Sequence, residues 1–169
     1  LEMDDIHRTA LLHPGPVIWP VALDSPESDA LDDVLLAAIK GYEVMIAVGA
    51  TFDAHHYAHY HPTATAGMFG AAACEAAAMA CDPEVIAHAL ALAGTVTGGL
   101  WQMRHSSNLG KQWHIAHIVG TAKAIGAYAV SGVTGPLAVL EGPQGLYAAM
   151  TKQPKPMTFP DQWRIHEVS

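Results

Sequence analysis

The sequence predicts a multi-helix domain, and three observations carry that reading. Apolar residues recur at 3-and-4 spacing from Ser28 to Ala50 and again from Gln112 to Ser131, and the stretch between them, Thr63 to Cys81, is dense in Ala and Gly. Such spacing lays one apolar stripe along a helix, and small side chains let neighbouring helices approach closely. A chain of 169 residues, 51% hydrophobic and 14% charged, is long enough to bury one sizeable core.

Taken in order, Leu1 to Glu27 carries Pro14, Pro16, Pro20 and Pro26, so irregular, site-forming structure is expected there. Ser28 is the expected N-cap of the first long helix. The histidine-dense run His55 to Pro62 reads as a turn and leads into the Ala/Gly-rich helix, which is placed centrally. Asp82-Pro83-Glu84 supplies a cap, a proline in the first turn and an acidic first turn for a helix to about Gly98. Arg104 to Gly110 is a polar loop; Gln112 to Ser131 is the next helix and Gly132 ends it. Pro143 to Met150 is expected to add a short helix. Residues 1–151 therefore form the helical domain, and 152–169 read as a linker, with a strand beginning at Trp163-Arg164-Ile165-His166.

The formal net charge is −8 with only 8 Lys+Arg, which argues against nucleic acid and against an anionic membrane surface. No stretch matches the roughly 20 apolar residues of a membrane span. Cys74 and Cys81 are expected on one helix face, two turns apart and out of bonding reach, which favours a reduced, cytoplasmic setting. The start at Leu1-Glu2-Met3 reads as internal, without a signal segment.

Eleven histidines exceed what a core needs. Several stand at loop-to-helix junctions, as in His13-Pro14-Gly15 and His61-Pro62-Thr63, where scaffolds present function. Lys111, in Gly110-Lys111-Gln112-Trp113-His114, falls at the expected start of an apolar helix. There, amides and an ammonium together suit a carboxylate. His55 and His59 at i, i+4 spacing, with Asp53 and His61 nearby, have donor types that suit zinc; no second ligand cluster is specified, and no metal is expected. Two cysteines are too few for an iron–sulfur cluster.

Four ordered motifs make the chain recognisable. His61-Pro62-Thr63-Ala64-Thr65-Ala66-Gly67-Met68-Phe69-Gly70, Gly110-Lys111-Gln112-Trp113-His114, Gly132-Val133-Thr134-Gly135-Pro136 through Leu140-Glu141-Gly142, and Asp4-Asp5 with His13-Pro14-Gly15 together resemble the MmgE/PrpD family over nearly the whole chain. The resemblance implies an all-α helical domain joined to a separate α/β lid domain that this chain lacks, commonly as a homodimer. It also implies metal-free, cofactor-independent chemistry on small di- or tricarboxylates. Members include 2-methylcitrate dehydratase, cis-aconitate decarboxylase and iminodisuccinate epimerase, and a dehydratase-like hydro-lyase is the leading expectation. His61 and Lys111 match family active-site residues, His13 the histidine of the HPxG-like turn, and Asp4 and Asp5 the acidic pair before it. Glu2 and Ile6 depart from the Asp and Thr that many members carry, in a segment that lines the pocket in relatives.

These reactions pass through negative charge on a carbon beside a carboxylate, which fixed donors must stabilise. Lys111 is the expected clamp, with His61 and His13 as general acid and base near their ordinary pKa of about 6.5. Asp4 or Asp5 is expected to orient an imidazole or a substrate hydroxyl; Glu2, Arg8, Arg104 and His114 are expected around the substrate. A reading of another class is a truncated helical module that dimerises and catalyses nothing.

Overall fold

The structure is a computed structural model that describes residues 4–24 and 30–169. Its helices are α1 (Gly15–Leu23), α2 (Leu31–Ala50), α3 (Ala54–His59), α4 (Pro62–Ala78), α5 (Pro83–Val96), α6 (Gly110–Val130) and α7 (Leu146–Met150), with 3₁₀ turns at Trp101–His105 and Arg164–Glu167. Among the described residues β-pairing is confined to isolated bridges, so the all-α expectation holds.

Every residue of α4 except Ala77 is buried, and α1, α2, α5 and α6 pack around it. Its composition explains this position. A Cβ on Gly70 would stand 2.5 Å from Met45 Cβ and 2.8 Å from the Gly41 carbonyl oxygen, and one on Gly41 would stand 2.9 Å from Cys74 Cβ. The two glycines therefore let the α2 and α4 backbones come closer than any side chain allows. The α2 stripe is buried from Ala37 onward, whereas Leu31, Leu35 and Leu36 in its first turns stay exposed.

Several local expectations change. The proline-rich N-terminal region contains a helix, because Pro16 sits in the first turn of α1 where a missing N–H costs nothing. Pro20, inside it, lies on the exposed side, where water can satisfy the carbonyl left without a donor. Helix α2 begins after Ala30, and the expected cap Ser28 lies outside the described residues, as does Glu2. The histidine run is helical rather than a turn: the Asp53 carboxylate caps α3 by accepting from the His56 amide at 2.9 Å. Cys81 stands beyond the end of α4, so the two cysteines do not share a helix and form no disulfide with each other; burial, with Glu75 beside it, pushes Cys74 up to about 12. Helix α6 ends in a Schellman motif at Gly132 (φ +89), where the Val133 amide bonds the Tyr128 carbonyl and the Gly132 amide that of Ala129, both at 3.0 Å.

The strand expected at Trp163 is a 3₁₀ turn. Arg164 is buried and donates to Thr158, and the Glu43 carboxylate holds the Ile165 amide at 3.1 Å, which leaves only Val168 to make a bridge, with His7. The segment before it is irregular and docked on the body. Asp53 accepts the Lys152 and Gln153 amides at 2.8 and 2.7 Å, and the Lys155 amide reaches the Thr51 carbonyl at 2.8 Å.

Gly70→Ala is expected to destabilise the fold by about 1–3 kcal/mol, because the added methyl must push α2 off α4. Thermal melts check this, and an unchanged melting temperature would show that the crossing is not tight.

Candidate active site

His61 is the N-cap of α4, and its backbone is held on both sides. Its amide donates to the Gly99 carbonyl at 2.8 Å, while its carbonyl accepts from the Ala64 and Thr65 amides at 2.9 and 3.0 Å. The ring packs on Trp101, centroids 4.5 Å apart. Trp101 and Arg104 belong to one 3₁₀ turn, in which side chains three residues apart eclipse; the Arg104 guanidinium accordingly lies 3.2 Å over the Trp101 ring.

His13 reaches the same place from the turn before α1. Its amide donates to Thr63 Oγ1 at 3.1 Å, tying that turn to the first turn of α4. Its Nδ1 lies 2.8 Å from the Asp5 carbonyl, which can only accept, so Nδ1 carries the proton. The two acidic residues then separate in role. Asp5 accepts from the Gly15 amide at 2.8 Å and the Tyr42 hydroxyl at 2.6 Å, so its carboxylate is committed to holding the turn and orients His13 only through its carbonyl. Burial, and then Asp5, push the Tyr42 pKa up. Asp4 is the carboxylate near the imidazole: Oδ2 is 3.7 Å from His13 Nδ1 and has no hydrogen-bond partner among the described residues.

Lys111, the second residue of α6, closes the arrangement. Lys111, Arg104, His13 and His61 share a cleft of about 170 Å³, whose walls include Ile6, Leu11, Tyr57 and Trp101. Past Lys111 and Arg104 lies a second hollow of about 300 Å³, to which Asn108 and Gln112 add amides. Larger hollows occur elsewhere. The one of about 520 Å³ is lined by no titratable side chain, and that of about 370 Å³ holds Asp161 with Glu43 and Arg164, the last two already bonded to the chain. Chemistry, not size, singles out the histidine cleft.

The wall that carries His13 is stapled to the end of the described chain. Ile6 and Ser169 exchange backbone hydrogen bonds of 3.0 and 3.1 Å. The Ala10 amide donates to His7 Nδ1, so His7 Nε2 donates to Glu167, 2.7 Å away.

Electrostatics differ from the expectation of ordinary histidines. Burial, followed by His114, Lys111, His13 and Arg104, lowers the His61 pKa to about 3, so the ring is neutral. Other candidates also move. Arg8 is exposed and donates to Ser169 Oγ at 3.3 Å, away from the cleft. His114 stands behind His61, Nδ1 to Nδ1 at 3.3 Å, and lines a different hollow. Trp101, Tyr57, Thr63 and Tyr42 were absent from the candidates; the Trp-x-x-Arg spacing was the available signal for the first. For the zinc reading, His59 Nδ1 bonds the His55 carbonyl and Asp53 is taken by three amides, which outweigh the effect of burial and bring it to about 2. No group of three or more His, Cys, Asp or Glu suited to a metal occurs among the described residues. Nor is any helix among them long and apolar enough to cross a membrane.

Compared with known families, residues 1–158 match the MmgE/PrpD N-terminal domain. No curated protein matches the chain.

The buried histidines make stability sensitive to acid. His56 is fully buried, stacked 3.8 Å from Phe52, without a hydrogen-bond partner for either ring nitrogen among the described residues; burial is the main cause that lowers its pKa to about 4. Both His56 and His61 stay neutral in the fold, while the unfolded chain takes up protons below about 6.5. Stability is therefore complete above that pH and falls as pH drops towards 4, by about 1–3 kcal/mol per histidine. His56→Phe should flatten this loss and leave stability at pH 7 equal or higher. Denaturant melts between pH 4 and 8 check it, and an unchanged acid profile would contradict it.

Proposed function

The chain belongs to the MmgE/PrpD family, and on that premise we propose that its histidine cleft binds a small di- or tricarboxylate and carries cofactor-independent lyase chemistry, dehydration of a 2-methylcitrate-like substrate being the leading reading. The observation that carries it is the convergence of Lys111 and Arg104 with His13 and His61 on one cleft, in a protein whose net charge is −8. An anionic substrate is drawn to that local positive field against the charge of the whole.

The geometry supports a division of labour between the histidines. His61, neutral and faced by cations, has a lone pair to accept the proton from the carbon beside a carboxylate. Lys111 and Arg104 hold the carboxylate oxygens onto which the electron pair spreads. His13 has Asp4 beside it to partner a positive charge, and gives a proton to the departing hydroxyl, which leaves as water while the carbon–carbon double bond forms. A lid over the cleft, as in the family pattern, would exclude water from these steps. Decarboxylation and epimerisation place the same negative charge on the same kind of carbon, so they share the clamp.

Self-association fits the outer face of α6. Trp113, Ala116, Gly120, Ala124, Ala127 and Tyr128 are exposed there and none is charged. A glycine in a helix interior costs roughly 1 kcal/mol relative to Ala. Among the described residues nothing lies within 4 Å of a Cβ at Gly120, which leaves room for the close approach of a second copy. Gly120→Arg should leave the melting curve of the chain within about 1 kcal/mol and shift it to a monomer in light scattering; an unchanged mass would remove α6 as the interface.

The enzymatic reading is tested on the full-length protein with 2-methylcitrate, cis-aconitate and iminodisuccinate, following the conjugated double bond and released carbon dioxide. Lys111→Ala should lower turnover by about 10²-fold or more. Near-normal turnover in that variant would remove Lys111 from the mechanism, and no turnover of any of the three by the parent protein would overturn the reading.

A further inference from the structure

His61 meets a second imidazole on the side away from the substrate cleft. His61 Nδ1 and His114 Nδ1 are 3.3 Å apart, with the rings 5.5 Å between centroids. His114 lies one turn beyond Lys111 on α6, so one helix face places the clamp in front of His61 and this imidazole behind it. His114 and His117 line a separate hollow of about 140 Å³. Close approach there is built in: Gly99, at φ +106, supplies the carbonyl that holds the His61 amide, and a Cβ on it would stand 2.5 Å from Ala64 Cβ and 3.4 Å from His114 Nδ1.

Two Nδ1 atoms facing each other share one proton, so one ring donates and the other accepts. If His114 donates, His61 carries its own proton on Nε2 and has no lone pair left for the cleft. If His61 donates, Nε2 is a free base. The surroundings decide between these. Lys111 from α6, Arg104 from the 3₁₀ turn and His13 from the loop before α1 all face His61 from the cleft. Positive groups repel an N–H pointed at them and attract a lone pair, so the proton belongs on the far side, on Nδ1. His114, whose own pKa is lowered by burial and by His117, is neutral and able to accept it.

We propose that His114 is a positioning residue that accepts the Nδ1 proton of His61, fixing the tautomer that presents Nε2 to the substrate and sharing the positive charge once His61 has taken the substrate's proton. This rests on the reading of His61 as the base, and it changes the expected role of His114 from a substrate contact to a partner acting through His61. No proton is gained or lost by the pair until the substrate supplies one.

The test combines two readouts on the full-length protein. Selective ¹⁵N labelling of histidine, read by long-range proton–nitrogen correlation, should show His61 protonated on Nδ1 in the free protein. In kinetics, His114→Phe should lower kcat by about 10²-fold with little change in KM and shift the acid limb of its pH profile. His114→Asn, whose amide oxygen also accepts, should restore much of the loss; a merely space-filling role predicts no such difference between the two. His61 protonated on Nε2 overturns the proposal, as do Phe and Asn variants with equal kcat and parent-like pH profiles. If the parent turns over no carboxylate, the functional reading fails while the tautomer measurement still decides the pairing.

Discussion

A helix enclosed by other helices needs small side chains wherever the backbones approach closely, and α4 meets that condition with Gly67, Gly70 and its alanines, while Met68, Phe69 and Glu75 fill the wider spaces between the crossings. The approach of Gly41 and Gly70 fixes α2 against it, and the remaining Ala and Gly faces admit α1, α5 and α6. Its N-terminus is consequently held by packing and backbone hydrogen bonds from several parts of the domain. His61 caps that terminus, Thr63 in the next turn receives the His13 amide, and the Gly99 carbonyl from beyond α5 anchors the His61 backbone. The cleft is therefore a product of core packing: its imidazoles sit where four parts of the chain converge on one helix end.

Charge is partitioned with the same economy of parts. In a chain carrying 16 acidic and 8 basic residues, the cations at the cleft are Lys111 and Arg104, while neighbouring acids are assigned elsewhere. Asp5 is held by a tyrosine and a backbone amide, and Asp53 is spent on capping α3 and docking the segment after α7. Among the described residues, Asp4 is the carboxylate that remains beside His13. That separation leaves one imidazole faced by Lys111 and Arg104 and the other next to a carboxylate, the difference of surroundings on which the proposed base and acid roles rest.

Much of this was legible in the sequence. The period of α2 and α6, the glycine stop after α6, the Asp82-Pro83 start of α5 and the small-residue composition of α4 are local signals that the fold obeys. His13, His61 and Lys111 stood out because each lies beside a Pro or Gly junction or a helix start. What stayed hidden depends on contacts between distant segments. Nothing local says that Asp5 belongs to Tyr42, that Arg8 points to Ser169, or that His114 faces His61 across two helices. The N-terminal helix was missed because prolines were read as breakers where two of them stand in and just before a first turn, and the expected strand at Trp163 failed because Glu43 and Thr158 claim the polar groups around it.

The staple between the His13 wall and residues 164–169 adds a mechanical consequence. Ile6 is bonded to Ser169 on both sides of its backbone, and His7 to Glu167, so whatever moves that segment moves a wall of the cleft. The central claim remains that Lys111, Arg104, His13 and His61 make one carboxylate site. A crystal structure with tricarballylate tests it most directly. The account predicts a carboxylate within hydrogen-bond reach of Lys111 Nζ and the ligand's carbon chain against His61; the ligand seated only in the hollows beside α5 or α2, with the histidine cleft empty, would contradict it.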